Sequence, residues 1–167
     1  VCRTVDDPAI LIVPTKSPVK SVADLLRLDA LIYGSAGAGS IPHLAMAALV
    51  ASTKVKGTHI PYKGTAAAMN AMAGGEINVF ADVPSVAQSF DVKPIGVFAS
   101  ARHPKFPDVP TMAEAGYPLD FSIWHGVFVP KGTNRAIVDK LVSACRTVVN
   151  SPEFAARLAS VGTTPAF

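Results

Sequence analysis

The sequence predicts an α/β fold, with a mostly parallel sheet and helices on both faces. Three observations carry that prediction. Short apolar runs alternate along the chain with stretches that open on helix caps. Most of the apolar runs are continuous rather than alternating, as strands covered on both faces require. The repeated strand–helix–strand order supplies the crossovers that parallel pairing needs.

The elements follow in order. Apolar runs predict strands at 10–13, 31–33, 58–62, 77–80, 95–99 and 123–129. Ser21 followed by Asp24 resembles a capping box with a shortened acid and opens a helix through Val22, Leu25 and Leu26. Ser40 caps a second helix, which tolerates Pro42 in its first turn and continues through Leu44, Ala48 and Val50. Thr65 begins a third, closed by Gly74 and Gly75. Thr111 and Glu114 form another capping box, and Gly116 ends its short turn. Residues 134–150 place Ile137, Leu141, Cys145 and Val148 on one helical face. Ser151-Pro152-Glu153 starts a final helix that stops at Gly162. Two joints, "LLRLDALIY" and "AQSFDVKPIG", leave less than the usual ~2–6 connecting residues, as though loop residues were missing.

Composition excludes several function classes. With 167 residues, 50% of them hydrophobic and 16% charged, the chain has enough apolar mass for one ordinary core and is not disordered. No apolar run approaches the ~20 residues that span a bilayer. The opening "VCRTVDDP" lacks the apolar region of a signal peptide, so the sequence carries no address of its own. Net charge is +3, and the basic residues are scattered singly, which argues against nucleic acid as a partner. Cys2 and Cys145 show no metal spacing; two structural thiols are the simpler reading, and a disulfide stays open. His43, His59, His103 and His125 have no metal-ligand spacing either, so no metal and no cofactor are expected.

The stretch "YGSAGAGS", from Tyr33 to Ser40, is the strongest local signal. Gly34 and Gly39 have P-loop spacing, but Ser40 stands where the phosphate-binding lysine belongs. Pro42 replaces the third glycine of a dinucleotide fingerprint. Tyr33 before Gly34 breaks the G-x-S-x-G elbow around Ser35. What remains is geometric, because ligands of open α/β sheets bind where loops leave the carboxyl ends of strands. Three such exits carry polar residues: 34–40, 63–65 and 82–85. Each precedes a helix start, whose unpaired N–H groups favour an anion, most naturally a carboxylate. Plainer roles stand beside these. Ser40 and Asp82 also fit as caps, Tyr62 as the end of a core strand, Lys63 as a surface charge, and His43 as a partner of a backbone carbonyl.

Four stretches in register, "YGSAGAGSIPHLA", "HIPYKGTAAAMNAMAGGEINVFADVPS", "ASARHPKFPDVPTMAEAGYP" and "WHGVFVPKGTNRAIVDKL", resemble the Bug/TctC family. Its members are extracytoplasmic solute receptors of tripartite tricarboxylate transporters. The resemblance implies a type II periplasmic-binding-protein lobe that holds a small organic carboxylate through main-chain amides, and no enzymatic activity. It implies a periplasmic location and membrane permease subunits as partners. Mapped by motif, the ligand loop falls on Ser35, Ala36, Gly37, Ala38, Gly39 and Ser40, with His43 just beyond. The "PYKG" turn falls on Tyr62, Lys63 and Gly64, followed by Thr65, and the acidic position falls on Asp82.

Family members normally carry a lobe's worth of sequence before the strand matching "AILIVP". The chain therefore reads as the second ligand-binding lobe at 14–123, with 1–13 and 124–167 as hinge strands and part of the first lobe. The 137/141/148 stripe then offers a surface for self-association. Two alternatives remain. One is a sensory receptor of the same fold; the other, weaker, is a serine acyl hydrolase using Ser35 with His43.

Overall fold

The computed structural model describes residues 1–167. The strands are β1 (Cys2–Pro8), β2 (Ile10–Pro14), β3 (Ala30–Ser35), β4 (Lys56–Pro61), β5 (Phe80–Asp82), β6 (Val92–Val97) and β7 (Ser122–Val127). The helices are α1 (Val22–Leu25), α2 (Ile41–Ala51), α3 (Thr65–Ala73), α4 (Val86–Ser89), α5 (Arg135–Val149) and α6 (Pro152–Ser160). The chain divides into two compact units, Pro8–Ser122 and the combination of Val1–Asp7 with Ile123–Phe167.

The larger unit is organised by β2, in which Ile10, Leu11, Ile12 and Val13 are wholly buried. Side chains that alternate along a strand need apolar cover on both faces to be buried throughout. Ile10 and Ile12 pack with Ala68, Met69 and Met72 of α3 and with Phe80 of β5. Leu11 faces the other way, near Gly96, where Val22 of α1 and Met112 also converge.

β2 pairs antiparallel with β5 on one side and β6 on the other. β3 and β4 pair in parallel, and Tyr33 bridges Val79 in parallel beside β5. The resulting order is β4-β3-β5-β2-β6, in which only β2 runs against the rest. The sheet is thus mostly parallel, with helices on both faces.

The structure alters several local expectations. Residues 1–13 read as flanking sequence, yet Ile10–Pro14 forms the middle strand of the larger unit's sheet, because its continuous apolar run demands burial on both faces. The short joints need no missing residues. α1 and α4 are single turns, and β6 begins at Val92, earlier than the apolar run suggests. The strand predicted at 77–80 pairs later, as Phe80–Asp82. Ahead of it the Asn78 amide donates to the Ala30 carbonyl and accepts from the Ile32 N–H, so a side chain replaces part of the ladder. β1 is hidden in sequence by Arg3, Asp6 and Asp7.

In the smaller unit β1 pairs with β7. The simpler reading of two free thiols is wrong: Cys2 and Cys145 form a disulfide, with their Cα atoms 6.6 Å apart. It ties β1 to α5, positions that no local spacing connects. The predicted stripe on α5 lies uncovered; Ile137 and Val148 are exposed, and Phe128 nearby in sequence to β7 is 72% exposed. No helix is long and apolar enough to cross a membrane.

Candidate functional site

Strand register decides which loops meet. Ser35 lies opposite Pro61, and Tyr33 opposite Val79, so Ser35, Pro61 and Ala81 stand at one level of the sheet. β3, β4 and β5 run the same way with neighbours about 4.8 Å apart. Their exits at Ala36, Tyr62 and Asp82 therefore open on a single edge. The Tyr62 N–H reaches back to the Ser35 carbonyl at 3.0 Å and keeps the first two exits together.

The glycine loop is shaped by its own hydrogen bonds. Gly37 and Gly39 take φ values of 141° and 80°, which side chains with a Cβ rarely adopt. Neither would press a Cβ on any neighbour, so both face open space. The Gly37 carbonyl accepts from the Ser40 N–H and from the Ser40 hydroxyl. Ser40 also caps α2, its oxygen accepting from the His43 N–H. No bond within the chain engages the N–H of Ala36 or Ala38. Those two amides remain for a guest.

The second exit supplies a similar resource. Gly64 occupies the N-cap of α3 and has no side chain to cap it. The first turn closes only with the Ala68 N–H donating to the Gly64 carbonyl at 3.4 Å, so the N–H groups of Thr65, Ala66 and Ala67 have no helical acceptor. Lys63 is exposed at the turn and pairs with no carboxylate. Tyr62 turns its hydroxyl to Glu76, past the far end of α3, and packs its ring against the core. Burial, followed by the Glu76 charge and hydrogen bond, raises its phenol above the ordinary range.

Asp82 is buried and fully engaged. One carboxylate oxygen accepts from the Thr65 hydroxyl at 2.5 Å, the other from the Val83 N–H at 2.8 Å. Burial raises its pKa, and the two hydrogen bonds oppose that shift. Its side chain braces β5 to the start of α3 instead of projecting from the edge. Ser35, Ala36, Gly37, Ala38, Gly39, Ser40, His43, Gly64, Thr65 and Asp82 thus lie along one edge, with the Ser35 and Asp82 side chains turned inward.

One residue at this edge escapes sequence reasoning. His59 on β4 places Nε2 2.7 Å from the Ser35 hydroxyl oxygen. Its ring stacks on His43, with centroids 4.0 Å apart, and on Tyr33 at 5.2 Å. The expected Ser35–His43 pair does not form, since His43 Nδ1 accepts from the Gly39 N–H at 3.1 Å. Ser35 is wholly buried, which leaves its hydroxyl no path to a substrate. Burial, and then the charge of His43, lower the His59 pKa. Nothing in "THIPY" marks this histidine; only the β3–β4 register brings it to Ser35.

Two cavities lie away from these exits. One of 280 Å³ in the smaller unit is bordered by Val127, Leu141, Val148 and Phe154. Another of 480 Å³ lies beside Pro14, Met72 and Phe90, at the opposite end of the larger unit's sheet. Neither cavity is lined by the residues of the strand exits.

The family model for the "Tripartite tricarboxylate transporter family receptor", TctC, matches residues 1–167. The chain belongs to this family. A TctC-family relative described as "UPF0065 protein in tcbD-tcbE intergenic region", from Pseudomonas sp. (strain P51), is 34% identical over 166 residues, covering 93% of this chain and 49% of its own length. The chain spans about half the length of the curated relatives it matches. Among solved structures, R. palustris Rpa4515 with adipate superposes with a TM-score of 0.89 at 30% identity, covering 99% of this chain and 58% of that one. The periplasmic binding protein BugD gives 0.86 at 33% identity, with 98% and 58% covered. MatC (Rpa3494) from Rhodopseudomonas palustris with bound malate gives 0.85 at 28%, with 96% and 59% covered.

Proposed function

We propose that this chain forms the second lobe of a periplasmic receptor that captures a small organic carboxylate for tripartite tricarboxylate-type uptake. The observation that carries the reading is the convergence of unpaired amides at one sheet edge: Ala36 and Ala38 from the glycine loop, with the first turn of α3. A carboxylate offers several lone pairs, no need for a catalytic group, and the charge that helix beginnings favour. The solved relatives holding adipate and malate support a dicarboxylate as the first class to test.

Lys63 flanks the edge and can add a charge-assisted bond to a second carboxyl group. The Ser35 and Asp82 side chains shape the site from beneath. The ligand lobe corresponds to the larger unit, Pro8–Ser122, and the segments of the smaller unit belong with the first lobe. The disulfide suits an oxidising compartment such as the periplasm. Membrane permease subunits would receive the loaded receptor, and the uncovered α5 stripe offers the isolated chain a surface for self-association.

Calorimetric titration of the full-length protein with adipate, malate, citrate and acidic amino acids tests the reading. Saturable binding of at least one acid, weakened by Ala38→Pro, which removes a loop N–H, is the expected result. Absence of binding across carboxylic acids, or binding indifferent to that substitution, contradicts it.

A further inference from the structure

The ring stack beneath the glycine loop has no counterpart in the amide scheme, and it touches the loop at two points. His59 holds Ser35, and Ser35 in turn accepts from the Gly37 N–H at 3.2 Å. His43 holds the Gly39 N–H through Nδ1. The amides of Ala36 and Ala38 sit between these anchored positions. Fixing the residues on either side orients the free ones.

We propose that His43 and His59 are positioning residues that clamp the glycine loop in its binding shape, and that protonation of His43 releases the clamp. The inference rests on the carboxylate-receptor reading for its functional consequence, but the clamp itself is a property of the chain alone.

The two contacts respond differently to a proton. Ser35 both donates and accepts, so His59 Nε2 can bond it in either role, whatever its protonation state. The Ser35 proton has a second outlet in the Gly37 carbonyl at 2.9 Å. His43 has no such freedom. A protonated Nδ1 is a donor facing the Gly39 N–H, also a donor, and the bond is lost.

Few titratable groups face the His43 ring. α2 carries His43 and packs on β3, β4 and β5. From β4 the titratable group at its ring is His59, stacked on it, and from β3 it is Tyr33, one ring further along. Phe80 and Asp82 of β5 point to the α3 side, which leaves Ala81 toward α2. No carboxylate belongs to the stack. A proton on Nδ1 therefore leaves Gly39 unheld, with no carboxylate in the stack to replace that bond.

The test uses the full-length protein and begins without ligand. Amide NMR across pH 5 to 8 should show the Gly39 resonance titrating with the His43 imidazole, with faster hydrogen exchange at Gly37 and Gly39 on the acid side. His43→Ala should give the fast exchange at all pH values. His43→Asn, whose side-chain oxygen overlays Nδ1, should restore protection and abolish the pH dependence. His59→Gln should retain the Ser35 contact that His59→Ala loses. With adipate or malate as the probe, wild-type affinity should fall by about fivefold on acidification, the scale of one net hydrogen bond, and the His43→Asn variant should stay flat.

A Gly39 amide indifferent to pH and to His43→Ala overturns the clamp. So does affinity that rises on acidification, because that assigns His43 to direct charge pairing with the ligand. If the loop amides titrate as expected while no carboxylate binds, the clamp stands and the receptor reading fails. The wild-type titration needs no variant, so a misfolded substitution leaves the test intact.

Discussion

Asp82 places a carboxyl almost out of water between the Thr65 hydroxyl and the Val83 N–H. Replacing it with alanine strands both donors and should cost about 1–3 kcal/mol. Asp82→Asn keeps an acceptor for Val83 and a group for Thr65, so urea denaturation should show a smaller loss. The raised pKa also fixes a sign. The folded state holds the Asp82 proton more tightly than the unfolded state does. Its contribution to stability therefore grows as pH falls through the raised folded value toward the ordinary carboxylate range, and levels off below that. Relative to Asp82→Asn, the wild type should gain stability between neutral pH and about pH 4. A difference that does not change with pH would contradict this. His59 has the reverse sign: its lowered pKa makes its contribution complete above the ordinary imidazole range and smaller as pH falls below it. At this scale the backbone donors of the site were legible from glycines and caps, whereas the inward turn of Ser35 and Asp82 was not. A side chain's orientation depends on which partner the neighbouring strand presents.

Helix caps were the most readable elements because their chemistry spans three or four residues. Ser21 accepts from the Asp24 N–H, Ser151 from the Phe154 N–H, and Asn134 from the Ala136 N–H. Thr111 and Glu114 exchange both bonds of a capping box. Ser40 does more than cap α2, since its hydroxyl also donates to the Gly37 carbonyl at 2.7 Å. Ser40→Ala should lower stability by about 0.5–2 kcal/mol, read from thermal unfolding, and should speed exchange of the loop amides. Unchanged loop exchange would mean that Ser40 serves the helix alone. Strand limits were less readable. β5 starts late because Asn78 reaches across to β3, and β6 starts early because its partner β2 extends to Pro14. Both depend on a neighbour distant in sequence.

For the whole molecule, the disulfide closes a separation of 143 residues. Reduction, or Cys2→Ser with Cys145→Ser, should remove about 2–4 kcal/mol. A urea midpoint that does not move under reductant would show that the packing of β1 and α5 suffices without the bond. Binding strength belongs to this scale too. Two or three charge-assisted bonds contribute roughly 1.5–3 kcal/mol each, and association costs several kcal/mol. Micromolar affinity needs about −8 kcal/mol. The 167-residue chain alone should therefore hold adipate only in the millimolar range, whereas a full-length receptor should do better. Submicromolar binding by the monomeric chain would show that one edge is enough.

By itself the sequence determined the alternation of strands and helices, the caps, the glycine loop and the family. These rest on contacts a few residues long or on motifs kept in order. Only the tertiary structure decided that β2 runs against its neighbours, that Cys2 meets Cys145, and that His59, not His43, holds Ser35. Each of those joins residues far apart in the chain, and such pairings are set by strand register and packing, which leave no periodic trace in the residues that make them.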